Sequence, residues 1–339
     1  MQLTLEQLQA AAQGTAYLEE AGEEIQFHRF TAEQEALYKT HNEDFWKKAF
    51  ATAGVKLSFR TDSDWLRLQV RAKQVTRTRM YFALDVAVDG TVIGSVDNYS
   101  DQVLPEAYTT ISCRFGDFEK RFDLGSGMKT ITIYFPWSAD LRILSLELMD
   151  DAAYAPVRSG KTLLVYGDSI TQGYDALHPS NRYAAQLAQA LEAEEHNRAI
   201  GGEVFFPPLA QSVESFEPDY ITVAYGTNDW SKTDHETLLK NARAFYGTLR
   251  KKYPNARMIA LLPIWRKDRD EYRPYGSFDQ MRRDLTDICR ELDIPLIDCY
   301  DFVPKDPSYF ADLRLHPNDK GFVSYARHLI NATLEKINE

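Results

Sequence analysis

The sequence has little of what builds disulfide frameworks or metal sites. Its 339 residues include three cysteines, Cys113, Cys289 and Cys299, and none of them forms a CxxC pair. The 7 histidines show neither an HExxH motif nor another paired spacing typical of metal ligands. We therefore expect buried, reduced thiols, no metal and no cofactor.

Long apolar runs and an excess of positive charge are also lacking. No stretch approaches the ~20 apolar residues that span a bilayer, and residues 1–6 lack the cationic start and apolar run of a secretory signal. The 39 Lys and Arg against 50 Asp and Glu leave a net charge of −11, whereas nucleic acids and anionic membranes attract clustered cations. The sequence predicts a cytoplasmic protein with no nucleic-acid or membrane partner and a neutral or cationic substrate.

The hydrophobic pattern divides the chain into two parts. From Val55 to Met149 the segments are short, alternate in polarity and are rich in β-branched and aromatic residues, which is typical of an antiparallel sandwich. A few helical turns are predicted before them, over residues 31–50. The expected strand segments are 55–59, 65–70, 81–86, 129–134 and 144–148. We predict an all-β domain over residues 1–155.

After the loop-like residues 154–160 the pattern alternates between strand and helix. Continuous apolar runs at 162–166, 220–225, 258–263 and 295–297 are typical of strands buried on both faces. Helical patterns lie between or after them at 183–192, 236–253, 278–292 and 322–337. This alternation predicts an α/β domain over residues 160–339, doubly wound around a mainly parallel sheet, with its ligand site at the carboxyl ends of the strands.

Four segments with reactive or polar side chains fall at such strand ends. Ser169 follows the first apolar run in the sequence GDSIT, and Gly201 and Gly202 follow the next short strand. Asn228 lies in GTND after the strand at 220–225, and His316 lies in LHPND before the last helix. Each has a structural alternative: a helix N-cap, a left-handed turn, a turn asparagine and an exposed loop histidine followed by a helix cap at Asn318 or Asp319, respectively.

In this order the four segments closely resemble the blocks of the SGNH (GDSL-type) hydrolase family. Ser169 matches the serine of block I, Gly202 the glycine of block II, Asn228 the asparagine of block III and His316 the histidine of block V. The resemblance covers residues 161–339 and implies a flavodoxin-like sheet of about five strands. The GxSxG elbow of the ordinary α/β-hydrolases is absent.

The resemblance implies a serine nucleophile with a general base and an oxyanion hole. His316 takes the proton of Ser169, which requires the two side chains to lie ~2.6–3.2 Å apart. The backbone N–H groups of Ser169 and Gly202 and the side-chain amide of Asn228 stabilise the tetrahedral oxyanion.

The acidic member of the triad departs from the family pattern. The family's acid usually stands three residues before the histidine, and that position here is Leu313. Asp312 stands four residues before His316, so a loop with one extra residue must bring its carboxylate to the imidazole. Some relatives use a backbone carbonyl instead, so Asp312 is the expected orienting acid and a Ser–His dyad is the alternative.

Other residues near the blocks have weaker claims to a function. Asp168 is expected to hold the turn through backbone N–H groups rather than to transfer protons. His178 lines the substrate entrance or is a solvent-facing loop residue. Trp230 and Trp265 are candidate walls of the acyl or sugar site, or members of the core.

The predicted two-part organisation is similar to that of carbohydrate esterases in which a jelly-roll-like β-domain precedes an SGNH domain. This resemblance implies a serine esterase that removes short acyl groups, most simply acetyl, from a small-molecule or oligosaccharide ester. A thioesterase, lipase or acyltransferase with the same machinery is one alternative, and a non-catalytic glycan-binding protein is another. The sequence does not identify the acyl group or the alcohol, and it leaves homo-oligomerisation open.

Overall fold

The computed structural model describes residues 1–338. The strands are β1 (Ala12–Gln13), β2 (Tyr17–Ala21), β3 (Glu24–His28), β4 (Lys56–Thr61), β5 (Trp65–Gln74), β6 (Ala83–Val88), β7 (Thr91–Asp97), β8 (Gly116–Asp123), β9 (Lys129–Tyr134), β10 (Ala139–Leu148), β11 (Tyr154–Pro156), β12 (Lys161–Gly167), β13 (Ala193–Asn197), β14 (Tyr220–Ala224), β15 (Arg257–Leu262) and β16 (Leu296–Asp298). The helices are α1 (Leu5–Ala11), α2 (Ala32–His41), α3 (Glu43–Ala49), α4 (Ser169–Gln172), α5 (Tyr183–Ala190), α6 (Pro207–Gln211), α7 (Thr227–Lys232), α8 (His235–Lys252), α9 (Phe278–Glu291) and α10 (Asp319–Asn338). No helix within residues 1–338 is long and apolar enough to cross a membrane.

The N-terminal strands form two antiparallel sheets. One has the order β1-β4-β9-β6-β7, with β11 also paired to β4, and the other has the order β2-β3-β10-β5-β8. Alternate side chains of both sheets, such as Ile131 and Ile133 of β9 and Leu66 and Leu68 of β5, are fully buried in one shared core. The period of two in the sequence thus produces two sheets packed face to face.

The strands expected from alternation are present, whereas several edge strands are not signalled by the sequence. β2 and β8 form the two edges of one sheet and β7 forms an edge of the other. Edge strands carry more charge and less apolar alternation, and β8, with the sequence GDFEKRFD, is mostly exposed. The expected helical turns before the sandwich are α2 and α3.

The C-terminal part is an α/β unit around a five-stranded parallel sheet of order β13-β12-β14-β15-β16. Counted within this unit the order is 2-1-3-4-5, which is the flavodoxin-like arrangement. Buried side chains of its strands alternate between two cores: one contains α5 and α10, and the other contains α8 and α9. The sheet is therefore covered on both faces, which explains the continuous apolar runs of its strands.

The sheet order brings three predicted segments to one place. The strand order reverses at β12, which lies between β13 and β14, and the carboxyl ends of strands at such a switch point form the crevice where ligands bind. Ser169 follows β12, Gly202 follows β13 and Asn228 follows β14.

A segment of the N-terminal part packs into the C-terminal unit. Phe30 and Tyr38 are fully buried in the core that also holds α8 and α9. The guanidinium of Arg29, itself fully buried, donates hydrogen bonds to the backbone carbonyls of Lys48 and Ala51 on one side and of Asn197 and Ala199 on the other. This buried residue therefore ties the N-terminal chain to the segment that leads from β13 toward Gly202.

Candidate active site

Ser169 is the first residue of helix α4, and one residue, Asp168, separates it from β12. The N-cap is Asp168, whose carboxylate accepts a hydrogen bond from the N–H of Ile170 at 3.0 Å, so the Ser169 side chain is free for another partner. Burial raises the pKa of Asp168 to about 6, although the Ile170 N–H opposes this shift. The Ser169 hydroxyl lies 2.8 Å from Nε2 of His316, within the range that proton transfer requires.

His316 is oriented by the carboxylate that stands four residues before it. Nδ1 of His316 lies 2.8 Å from Oδ2 of Asp312, and Leu313, at the position of the usual acid, has a left-handed backbone with φ 57°. A left-handed leucine is strained, and this conformation accommodates the extra residue of the loop. The structure therefore brings together Ser169, His316 and Asp312, in the arrangement of a triad rather than that of a dyad.

The surroundings of Asp312 keep its carboxylate ionised. Burial acts to raise its pKa, but the hydrogen bond and charge of His316 and two backbone N–H groups more than compensate and hold it well below its usual value. Oδ1 accepts hydrogen bonds from the N–H groups of Arg314, Leu315 and His316 at 3.0, 2.7 and 3.1 Å. One oxygen therefore shapes the loop while the other orients the imidazole.

The two glycines after β13 are required for different reasons. A Cβ on Gly201 would lie 2.5 Å from the ring of Tyr174, and Gly202 has a left-handed φ of 92°. The N–H of Gly201 donates to the side chain of Gln172 in α4 at 2.8 Å, which connects this turn to the helix of Ser169. Within residues 1–338, nothing accepts a hydrogen bond from the backbone N–H of Ser169 or Gly202, so both are available to an oxyanion.

Asn228, near the start of α7, contacts the same turn. Its Nδ2 donates to the carbonyl of Glu203 at 3.1 Å, and because a side-chain amide has two donors, one N–H remains for a ligand. Hydrogen bonds thus connect all three candidate oxyanion donors through one turn.

Two lysines bind the carbonyls of this turn. Nζ of Lys48, from α3, donates to the carbonyl of Gly201 at 3.0 Å, and Nζ of Lys232 donates to that of Gly202 at 2.6 Å. The carbonyl of Gly201 belongs to the same peptide group as the N–H of Gly202. The Lys48 charge therefore polarises that peptide and makes the N–H a better donor.

Substitution of Asn228 tests the oxyanion hole. We expect Asn228→Ala to lower kcat by about 10²–10³ with a smaller change in KM, because the lost donor acts on charge that develops in the transition state. Steady-state kinetics on a short-chain ester measures the effect, and Asn331→Ala, on the exposed face of α10, is the control. An unchanged kcat would remove Asn228 from the mechanism.

A buried carboxyl group lies next to the Gly201–Gly202 turn. Glu203 accepts hydrogen bonds from the hydroxyls of Tyr38 at 2.7 Å and Tyr225 at 2.6 Å. Burial raises its pKa to about 8, with the two tyrosine hydrogen bonds opposing. Helix α2 therefore braces the segment that carries Gly202.

Three residues beside the triad are not identified from the sequence. Asp175, fully buried, has Oδ2 3.5 Å from Nδ1 of His316. Arg79, from the loop between β5 and β6, donates to both carboxylate oxygens of Asp175 at 3.1 and 3.2 Å, and the hydroxyl of Tyr81 donates to Oδ1 at 2.6 Å. Asp175 stands in the loop after α4, but no local pattern marks Arg79, which is 237 positions from His316.

A second network that the sequence does not indicate connects the loop of Asn228 to the loop of His316. The buried Asp268 accepts hydrogen bonds from Arg266 at 2.6 and 2.9 Å and from Arg314 at 2.7 Å. Arg266 also donates to the carbonyl of Thr227, next to Asn228, at 3.0 Å. This network holds the start of α7 and the Asp312–His316 loop in a fixed relation.

The remaining candidates make structural contacts. Nδ1 of His178 lies 2.9 Å from the buried Asp85 of β6, so it connects its loop to the N-terminal sheets. Trp230 and Trp265 are buried, at 0% and 6% exposure, which favours the core alternative over a wall of the site. Cys113, Cys289 and Cys299 are buried free thiols, as expected.

Comparisons with known proteins give a family match for the C-terminal part and a shared fold for the chain. Residues 165–322 match the model of the GDSL-like lipase/acylhydrolase family, and the search of curated proteins gave no match. The structure is similar to that of the salicylyl-acyltransferase SsfX3 from a tetracycline biosynthetic pathway, with a TM-score of 0.78 and 19% identity over 96% of this chain and 94% of that one. A Bacteroides ovatus protein described as a GDSL-like lipase gives a TM-score of 0.78 and 19% identity over 100% and 98%.

A family two carbohydrate esterase from Cellvibrio japonicus is similar over 98% of this chain and 96% of its own, with a TM-score of 0.65 and 17% identity. All three similarities extend over both the N-terminal antiparallel sheets and the C-terminal unit. At these identities they establish a shared fold.

Proposed function

Because the chain belongs, through residues 165–322, to the GDSL-like lipase/acylhydrolase family, we propose that it is a serine esterase that acts through an acyl-enzyme. The observation that carries this proposal is the chain of two 2.8 Å contacts from Ser169 through His316 to Asp312. Such a chain supplies a nucleophile, its base and the group that orients the base.

In the proposed reaction the Ser169 oxygen attacks the ester carbonyl while its proton passes to Nε2 of His316. The negative charge that develops on the carbonyl oxygen is stabilised by the N–H groups of Ser169 and Gly202 and by the Asn228 amide. The imidazolium, stabilised by Asp312, then protonates the leaving alkoxide. Water activated by His316 releases the acid and restores the serine.

We propose a short acyl group, most simply acetyl, on a carbohydrate as the substrate. The full-length similarity to a family two carbohydrate esterase supports this choice, since that enzyme also joins N-terminal sheets to its α/β unit. The proposal includes a jelly-roll topology for the N-terminal part and a division of the chain into residues 1–155 and 160–339. The proposed reaction needs no metal or cofactor, because the protein's own residues supply the nucleophile, the base and the stabilising donors.

Acyl transfer to an alcohol other than water is the second candidate. The similarity to the salicylyl-acyltransferase SsfX3, whose TM-score is higher than that of the carbohydrate esterase, favours it. The same acyl-enzyme would serve both reactions, and the acceptor that reaches it would decide between them.

A panel of p-nitrophenyl esters from C2 to C12, together with acetylated xylo- and manno-oligosaccharides, tests the proposal. We expect the highest kcat/KM on the C2 ester and release of acetate from at least one oligosaccharide. A preference for C8 or longer would contradict the acetylesterase. Formation of new esters when acceptor alcohols are added would favour the acyltransferase, and no turnover of any ester would favour a non-catalytic glycan-binding protein.

A further inference from the structure

Arg79 reaches the candidate active site from the N-terminal sheets. It lies in the loop that joins β5 to β6 and has a left-handed backbone, with φ 58°. Its partner Asp175 also has a left-handed backbone, with φ 75°. Non-glycine residues in this region are strained, and such strain persists where the surroundings hold it in place and is concentrated at functional sites. The guanidinium is largely buried, with a side-chain exposure of 18%.

The contacts of the imidazole define what this guanidinium does. Nε2 of His316 accepts the proton of Ser169, so Nδ1 must carry the ring hydrogen, and Asp312 at 2.8 Å receives it. Nη2 of Arg79 lies 3.4 Å from Nδ1, but two N–H donors cannot form a hydrogen bond with each other. The guanidinium therefore acts on the ring through its charge and through Asp175.

The charge balance around Nδ1 depends on Arg79. The carboxylates of Asp312 and Asp175 lie 2.8 and 3.5 Å from Nδ1, and two uncompensated anions at that range would strongly favour the imidazolium. The guanidinium is paired with Asp175 at 3.1 Å and offsets one of them. The Asp168 carboxyl, which follows β12, also interacts with the charge of the ring.

We propose that Arg79 is a positioning residue for the His316 base: it neutralises Asp175, so that one of the two anions beside Nδ1 is offset and the Nδ1–H is directed to Asp312. The inference rests on the proposed function for its catalytic meaning. Because Arg79 lies in a loop of the N-terminal sheets, the inference gives those sheets a role in the chemistry in addition to any role in substrate binding.

The test substitutes Arg79 and Asp175 singly and together, and measures kcat/KM as a function of pH for each variant. Arg79→Gln is expected to move the acidic limb of the kcat/KM profile upward by about one pH unit, so that activity at the foot of the limb falls about tenfold while the alkaline plateau is largely kept. Asp175→Asn, which leaves the guanidinium unpaired, is expected to move the limb to lower pH. The double variant is expected to return close to the wild-type profile, and Arg79→Lys to stay near it.

An equal loss of kcat/KM at all pH values, with an unmoved limb, would show that Arg79 only holds the loop, and an unchanged profile would show that it does nothing. The ¹⁵N NMR titration of the His316 ring in the Arg79→Gln and Arg79→Lys proteins measures the same property without substrate. This titration distinguishes failure of the inference about Arg79 from failure of the proposed esterase function. A protein that hydrolyses no ester still shows whether the guanidinium affects protonation of the ring. A ring titration that is the same in all variants would overturn the inference, and Arg79→Lys provides the comparison if Arg79→Gln does not fold.

Discussion

Ser169→Ala is expected to lower kcat by about 10⁶, because removal of the nucleophile leaves only the oxyanion hole and substrate binding to accelerate the reaction. The measurement is kcat on a p-nitrophenyl ester of short chain length, with the folded state checked by thermal unfolding. The side chain is small and 5% of the residue is exposed, so its truncation leaves little cavity. A large loss therefore reports chemistry rather than unfolding.

A covalent probe makes the same test specific. A phosphonofluoridate is expected to label the wild-type protein at one serine and to leave Ser169→Ala unlabelled. Ser126→Ala, in the exposed turn between β8 and β9, is the matched control and is expected to retain both labelling and activity. Hydrolysis by Ser169→Ala at the wild-type rate would end the case for Ser169 as the nucleophile.

Asp312→Asn is expected to lower kcat by about 10⁴, the typical size of this substitution in a Ser–His–Asp triad. The asparagine can keep its oxygen on the three N–H groups of the loop, so the loop is retained. Its NH₂ group then faces Nδ1 of the imidazole and favours the tautomer with hydrogen on Nε2, which cannot accept the serine proton. The structural role and the catalytic role of this carboxylate are thereby separated.

The control is Asp64→Asn, an exposed residue of the N-terminal part, and the measurement is again kcat with thermal unfolding alongside. A negligible loss on Asp312→Asn would favour a Ser–His dyad, or an arrangement in which another acceptor orients His316. Asp175, at 3.5 Å from Nδ1, is the neighbouring carboxylate that would take this role. A double substitution of Asp312 and Asp175 would show whether it does.

The sequence allows the α/β unit to be predicted well because its physical causes are local. Buried parallel strands are continuous apolar runs, and the runs at 162–166, 220–225, 258–263 and 295–297 coincide with β12, β14, β15 and β16. The prediction of the N-terminal sandwich is less complete, because β2, β7 and β8 are edge strands whose side chains show no apolar alternation. The N-terminal strands β1 to β3 lie before residue 31, where no strand was expected.

Part of the candidate site can likewise be predicted from the sequence, and part cannot. Ser169, Gly202, Asn228 and His316 each follow or precede an element that the pattern predicts, and the topology of the sheet then brings three of them to one crevice. Whether Asp312 reaches the ring depends on the left-handed backbone of Leu313, which a leucine gives no reason to expect. Arg79 and Asp175 meet only through the packing of distant segments, and no spacing in the sequence encodes that contact.

The buried guanidinium of Arg29 limits how this protein can be re-engineered. Its bonds to Asn197 and Ala199 stabilise the chain that enters the Gly201–Gly202 turn, and an isolated C-terminal fragment would leave those carbonyls without this donor in an apolar setting. A chimera that grafts the α/β unit onto another protein must therefore carry along the stretch from Arg29 to Ala51, even though that stretch precedes the graft by more than a hundred positions. A chimera joined at the apparent linker near residue 158, without that stretch, is expected to have a distorted Gly201–Gly202 turn.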